Sequence, residues 1–244
     1  QNLVADHSDY IRLLRKLRAV PGVKKVFVRS GVRFDYLLLA NDDFLAELCK
    51  YHISGQLKIA PEHISDRVTR IMGKSNRSVY QRFAERFRKM NERLGLKQYL
   101  VPYFMSSHPG AKLEDAIELA EFIRDMGYHP QQVQDFIPTP GTLSTCMWYT
   151  GIDPMTGEKV YTAKSYEEKL MQRALMQYWL PQNHDIVRKA LHIAQREDLI
   201  GFDTHCLVRP KKRDGEIRLV GKSGPQPKGN DVNKRKKQGK KVRR

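Results

Sequence analysis

The sequence predicts an α/β fold: parallel strands joined by crossover helices, then a helical extension and a basic tail. Three observations predict it. Before Thr142, short runs rich in β-branched residues alternate with stretches whose apolar residues recur at helical spacing, and such alternation implies parallel strands with right-handed connections. After Thr142 the pattern changes to a region of turn signals followed by helical spacing. The last 36 residues hold 15 of the 44 Lys and Arg but 3 of the 27 Asp and Glu, so most of the net charge of +17 lies in a terminal segment. The expected divisions are residues 1–143, 144–208 and 209–244.

The elements follow in order. Ile11, Leu14 and Leu17 predict a helix over Asp9–Ala19, stopped at Pro21-Gly22. Lys25–Arg29 reads as a first strand. Asn41 caps a helix reaching Tyr51, with Phe44, Leu45 and Leu48 on one face. Gln56–Pro61 is a second strand, and Ser65 is the expected cap of a short helix over Asp66–Met72. A long helix over Arg77–Leu94 carries Val79, Phe83, Phe87 and Met90 at steps of three and four, and Gly95 ends it. Gln98–Phe104 is a third strand, Leu113–Met126 a helix, and Gln132–Ile137 a fourth strand before the turn Pro138–Thr142. Trp148–Lys164 reads as a loop or hairpin. Helices from Ser165 to Tyr178 and from His184 to Glu197 form the extension, and order is expected to fade from Arg209.

Composition excludes several classes. There is no apolar run of about 18 residues, so no membrane span is expected. Cys49, Cys146 and Cys206 are too few and too scattered for a disulfide framework, which points to a reducing, cytoplasmic setting. The start at Gln1, without Met or a signal-like leader, suggests a piece of a longer protein. No GxSxG, HExxH or Walker A pattern occurs. The run Lys234–Arg244 has a single apolar residue and is expected to be disordered. It is a candidate phosphate-binding tail for RNA or DNA, although the absence of interleaved aromatics equally suits a solubilising extension.

The polar residues with chemical potential gather where strands end. Glu62 and His63 follow the second strand, and Ser106, Ser107 and His108 follow the third. Asp135 lies in the fourth, and Thr139–Thr142 follow it. Groups at several strand C-termini converge on one mouth, which is where such folds bind polar ligands. Each also has a structural reading: Glu62 beside a helix N-terminus, Ser106–Gly110 as a cap and turn, Asp135 as a paired carboxylate. The adjacent His205 and Cys206 are weak evidence for a metal ligand pair.

Three runs carry a family resemblance: Gly55–Lys74 (GQLKIAPEHISDRVTRIMGK), Tyr99–Gly110 (YLVPYFMSSHPG) and Gln134–Thr142 (QDFIPTPGT). Together they resemble the YgiQ-type radical S-adenosylmethionine (SAM) proteins over about residues 1–210. The resemblance implies the C-terminal half of a partial (β/α)6 barrel whose N-terminal half, as a partner segment, lies upstream. It implies that Glu62 accepts from the SAM ribose hydroxyls and that Lys74 pairs with the methionine carboxylate. It places Ser106, Ser107 and His108 facing SAM or substrate, and Thr139 and Gly141 near the adenine. It implies a 4Fe-4S cluster on a CxxxCxxC loop, a spacing that Cys49, Cys146 and Cys206 lack. The whole family protein is expected to cleave SAM reductively to a 5′-deoxyadenosyl radical, on a substrate the resemblance does not name. This chain alone is expected to be inactive. The alternative expectation is an RNA-binding protein led by its basic tail.

Overall fold

The computed structural model describes residues 6–130 and 132–211. The Lys234–Arg244 run, and with it the expected loss of order over most of the tail, lies outside the described residues.

Three strands, β1 (Gln56–Glu62), β2 (Tyr99–Ser106) and β3 (Gln132–Asp135), form a parallel sheet in that order. Among the described residues the helices are α1 (Ser8–Arg18), α2 (Phe34–Leu37), α3 (Asp42–Glu47), α4 (Asp66–Ile71), α5 (Arg77–Leu94), α6 (Leu113–Asp125), α7 (Leu143–Thr150), α8 (Tyr166–Leu175) and α9 (His184–Ile193). A π-helical turn, Leu48–His52, extends α3. The described residues are therefore α/β, as expected, with a parallel three-stranded sheet.

The local reasons are legible in α5. Asn76 caps it by accepting from Val79 N at 3.2 Å, and Gly95 ends it at φ 64°, a left-handed conformation glycine adopts without a Cβ clash. Tyr80, Phe83, Phe87 and Met90 are buried along one stripe. They pack into a core with Leu57 and Ile59 of β1, Phe104 of β2, and Ile117, Ala120 and Ile123 of α6. Leu175, Val187 and Leu191 of the extension join the same core. Helix α8 packs against α6 and against β2 and β3. This contact brings extension residues to the strand ends.

Four expectations are corrected. Lys25–Arg29 does not form a strand. Val28 N donates to His52 O at 2.9 Å, so this stretch runs beside the π-helical turn rather than beside β1. The chain meets the sheet only at Val32, through a single bridge to Ile59. Ser65 precedes α4 but makes no side-chain cap, because its hydroxyl donates to Asp115 at 2.7 Å. The segment after the Pro138–Thr142 turn holds α7, which Thr142 caps by accepting from Thr145 N at 3.2 Å and which runs into the region expected to be a loop. An antiparallel bridge between Ile152 and Lys159 gives the rest of that region hairpin character. Finally, α8 and α9 stop at Leu175 and Ile193, short of the expected Tyr178 and Glu197.

Candidate functional site

The C-terminal ends of β1 and β2 share an unusual backbone. Glu62 ends β1 at φ 63° and Ser107 follows β2 at φ 59°, both in the left-handed region that side chains disfavour. The β1–β2 register also shifts between Ile59 and Glu62. Such conformations cost about 1–3 kcal/mol each and concentrate at ligand sites. The two kinks turn side chains away from the normal alternation of the strands.

Glu62 and Lys74 meet at this end. The loop after α4 is folded back by Lys74 N donating to Thr69 O at 2.8 Å. It delivers Lys74 Nζ to within 2.8 Å of Glu62 Oε1. Both side chains are partly exposed, so the pair gains little net energy and can exchange partners with a ligand. A cavity of about 110 Å³ opens beside Lys74, lined in part by Val32, Arg33, Ala60 and Ser75.

From β2, Ser106, Ser107 and His108 are all buried. Ser106 Oγ donates to Asp135 Oδ1, whose carboxylate also lies 3.6 Å from Arg173 Nη1. Asp135 is thus a paired carboxylate, one of its two sequence readings. Ser107 N donates to Gln172 Oε1 at 3.0 Å, while Ser107 Oγ is buried without a hydrogen-bond partner among the described residues. His108 Nδ1 is 2.8 Å from Pro109 O, its Nε2 is 2.9 Å from Ser144 Oγ, and Phe136 packs edge-on against its ring. Burial lowers the His108 pKa below the usual histidine range, against smaller raising effects of Pro109 O and the nearby Glu62 carboxylate.

His63 lies one residue beyond the β1 kink and is 2% exposed. Its Nδ1 accepts from Ile64 N at 3.0 Å and from Ser65 N at 3.1 Å, so the ring is neutral with its proton on Nε2. Burial holds its pKa down to about 4 despite the opposing attraction of Asp115.

Thr139 and Gly141 are exposed on the loop after β3. Thr139 O accepts from Thr142 Oγ1 at 2.9 Å and from Thr145 Oγ1 at 2.7 Å. Their loop is linked to the strand ends through Phe136 and Ser144, which both touch His108. Sequence reasoning missed Gln172 and Ser144. Neither residue carries a local signal, since their partners lie 65 and 36 positions away. A much larger apolar cavity, about 780 Å³, sits at the other end of the sheet near Gln56, Tyr99 and Leu100. It lies at the strand N-termini, away from this polar cluster.

The cysteines do not fit an iron–sulfur cluster. Cys49 is buried, with its thiol pushed up to about 12 by desolvation, while Cys146 is exposed on α7 and Cys206 follows α9. A carboxylate can accept from vicinal hydroxyls, an ammonium can pair with a carboxylate, and Ser107 offers an unused buried hydroxyl.

A UPF0313 protein of Clostridium botulinum strain 657 is 57% identical over 85% of this chain, and one of strain Okra is 58% identical over the same share. A UPF0313 protein of Clostridium perfringens strain 13 is 56% identical over 88%. The homologues of this chain are UPF0313 proteins. UPF0313 is the YgiQ-type family that the sequence runs resemble. The chain spans 33% of the C. botulinum strain 657 and C. perfringens relatives' length and 32% of the strain Okra relative's. A family profile described as a domain of unknown function, DUF3362, matches residues 131–243. No described helix is long and apolar enough to cross a membrane.

Proposed function

We propose that the three-stranded sheet is the SAM-binding side of a partial radical SAM barrel. The observation that carries this reading is the Glu62–Lys74 pair at the kinked end of β1, with a buried, unpartnered Ser107 hydroxyl just past the end of the adjacent strand β2. The UPF0313 relatives support it.

In this reading Glu62 exchanges its lysine for the two ribose hydroxyls, each O–H donating to one carboxylate oxygen. Lys74 pairs with the ligand carboxylate. Ser106, Ser107 and His108 line the same mouth. Ser106 stays tied to Asp135, Ser107 Oγ gains the hydrogen bond it lacks, and neutral His108 presents no competing charge to a cationic sulfonium. Thr139 and Gly141 form the adenine-side loop, and Gly141 leaves open space where a Cβ would sit. Bound SAM supplies the radical precursor chemistry, and the protein orients it and excludes side reactions. The electron-donating cluster is assigned to residues outside this chain, because the cysteines here do not form its ligand set.

Equilibrium titration with SAM tests the reading. Glu62→Gln and Lys74→Met are each expected to weaken binding by about tenfold or more, the magnitude of a lost charge-assisted hydrogen bond. Unchanged affinity in both variants overturns it. Anaerobic reconstitution of the chain joined to the preceding part of a UPF0313 relative is expected to give 5′-deoxyadenosine from SAM and dithionite. The chain alone is expected to give none.

A second reading rests on charge. We propose that the basic C-terminal segment binds single-stranded RNA through phosphate contacts, a role compatible with the first.

A further inference from the structure

The loop after α9 gathers three side chains that the strand-end site does not use. Asp203, His205 and Cys206 place a carboxylate oxygen, an imidazole nitrogen and a sulfur all within 4.8 Å of one another. Cys206 Sγ lies 3.7 Å from His205 Nε2. A tetrahedral zinc ion, with Zn–S near 2.3 Å and Zn–N near 2.0–2.1 Å, sets such atoms about 3.6 Å apart. The pair already stands at the edge length of such a site. Asp198 O joins the group, 3.2 Å from His205 Nε2 and 3.6 Å from Cys206 Sγ.

The loop is held in this shape by its backbone. Gly201 N donates to Val208 O at 3.0 Å and Leu207 N to Leu199 O at 2.8 Å, closing the two ends together. Cys206 N donates to Asp203 O at 3.1 Å, and Arg124 of α6 donates to His205 O. A Cβ on Gly201 would stand 2.8 Å from Cys206 Sγ, closer than real contacts allow, so the sulfur occupies space that only glycine leaves. Preorganised donors lower the ordering cost of binding a cation. The donor chemistry selects the metal. A thiolate and an imidazole favour zinc over magnesium or calcium, which take oxygen ligands.

We propose that Asp203, His205 and Cys206 form a Zn²⁺ site, with the Asp198 carbonyl or a water completing four-coordination. It stands independently of the SAM reading. The sequence showed only the adjacent His205 and Cys206; the fold supplies Asp203, the carbonyl and the distances.

Cobalt titration of the tag-free chain under a phosphine reductant tests the proposal. One equivalent of Co²⁺ is expected to give a thiolate charge-transfer band and tetrahedral d–d bands, both erased by Zn²⁺. Cys206→Ser is expected to abolish the charge-transfer band. His205→Ala and Asp203→Asn are expected to weaken binding by about tenfold or more. Cys146→Ser, which alters the exposed cysteine of α7, is expected to change nothing. Zn²⁺ is also expected to raise the melting temperature of the parent chain but not of Cys206→Ser. Absence of saturable binding at micromolar cobalt overturns the site, as does a charge-transfer band that survives Cys206→Ser.

Discussion

Protonating His63 costs more than desolvation alone. Its Nδ1 is the acceptor for the Ile64 and Ser65 amides at the start of α4, and a proton there would orphan both. The ring faces Asp115, His108 and Arg67, and burial dominates in holding its pKa down to about 4. The unfolded chain takes up this proton near pH 6.5, whereas the folded chain does not until about pH 4. Stability from His63 is therefore complete above the unfolded value and is lost as pH falls through that window. Between pH 7 and 5 the loss is on the order of 2 kcal/mol. His63→Asn keeps a side-chain oxygen for the two amides but does not titrate. Its urea-unfolding free energy is expected to fall by about 2 kcal/mol less over that interval than the parent's. An identical fall would assign the acid sensitivity elsewhere. At this scale the sequence located Glu62, Ser106, Ser107 and His108, because side chains at strand ends follow from the strand pattern alone. It misjudged Ser65, whose preferred partner, Asp115, is 50 residues distant.

Elements meet at the site through Gln172. Helix α8 inserts this residue, 1% exposed, between the end of β2 and the start of α6. Its oxygen accepts from Ser107 N and its nitrogen donates to Ala111 O, each at 3.0 Å. The strained Ser107 conformation thus has its amide satisfied by a helix from the extension. Gln172→Leu preserves approximate volume but strands one buried donor and one buried acceptor. Unfolding free energy in urea is expected to drop by about 2–4 kcal/mol. A drop below about 0.5 kcal/mol would mean that water or a relaxed backbone replaces the clamp. For comparison, Asn76→Ala at the start of α5 is expected to cost about 1 kcal/mol in the same measurement, the usual worth of an N-cap. The bounds of helix α5 were readable from its apolar stripe and terminal Gly95, whereas its cap, Asn76, was not singled out. Lys25–Arg29 misled because β-branched residues favour a strand only where a neighbour strand lies alongside, and the chain reaches β1 only at Val32. Helix α7 was hidden by surrounding turn residues, although Thr142 and Gly151 at φ 70° bound it.

For the whole chain, charge is distributed unevenly. Residues 212–244 contain 13 of the 44 Lys and Arg, whereas the strand-end site pairs its cation with a carboxylate. A basic segment of this kind gains affinity for nucleic acid by releasing counterions. Each phosphate neutralised on a single strand contributes about −0.7 to the slope of log K against log salt. The full chain is expected to bind a poly-uridine oligonucleotide with a slope of several units, measured by fluorescence anisotropy across salt concentrations. The chain ending at Lys211 retains the core and the strand-end residues and is expected to lose most of both affinity and slope. If its slope matches the full chain's, the folded body rather than the tail holds the phosphates. If neither form binds, the tail is a solubilising extension, and the strand-end site is left to account for function alone.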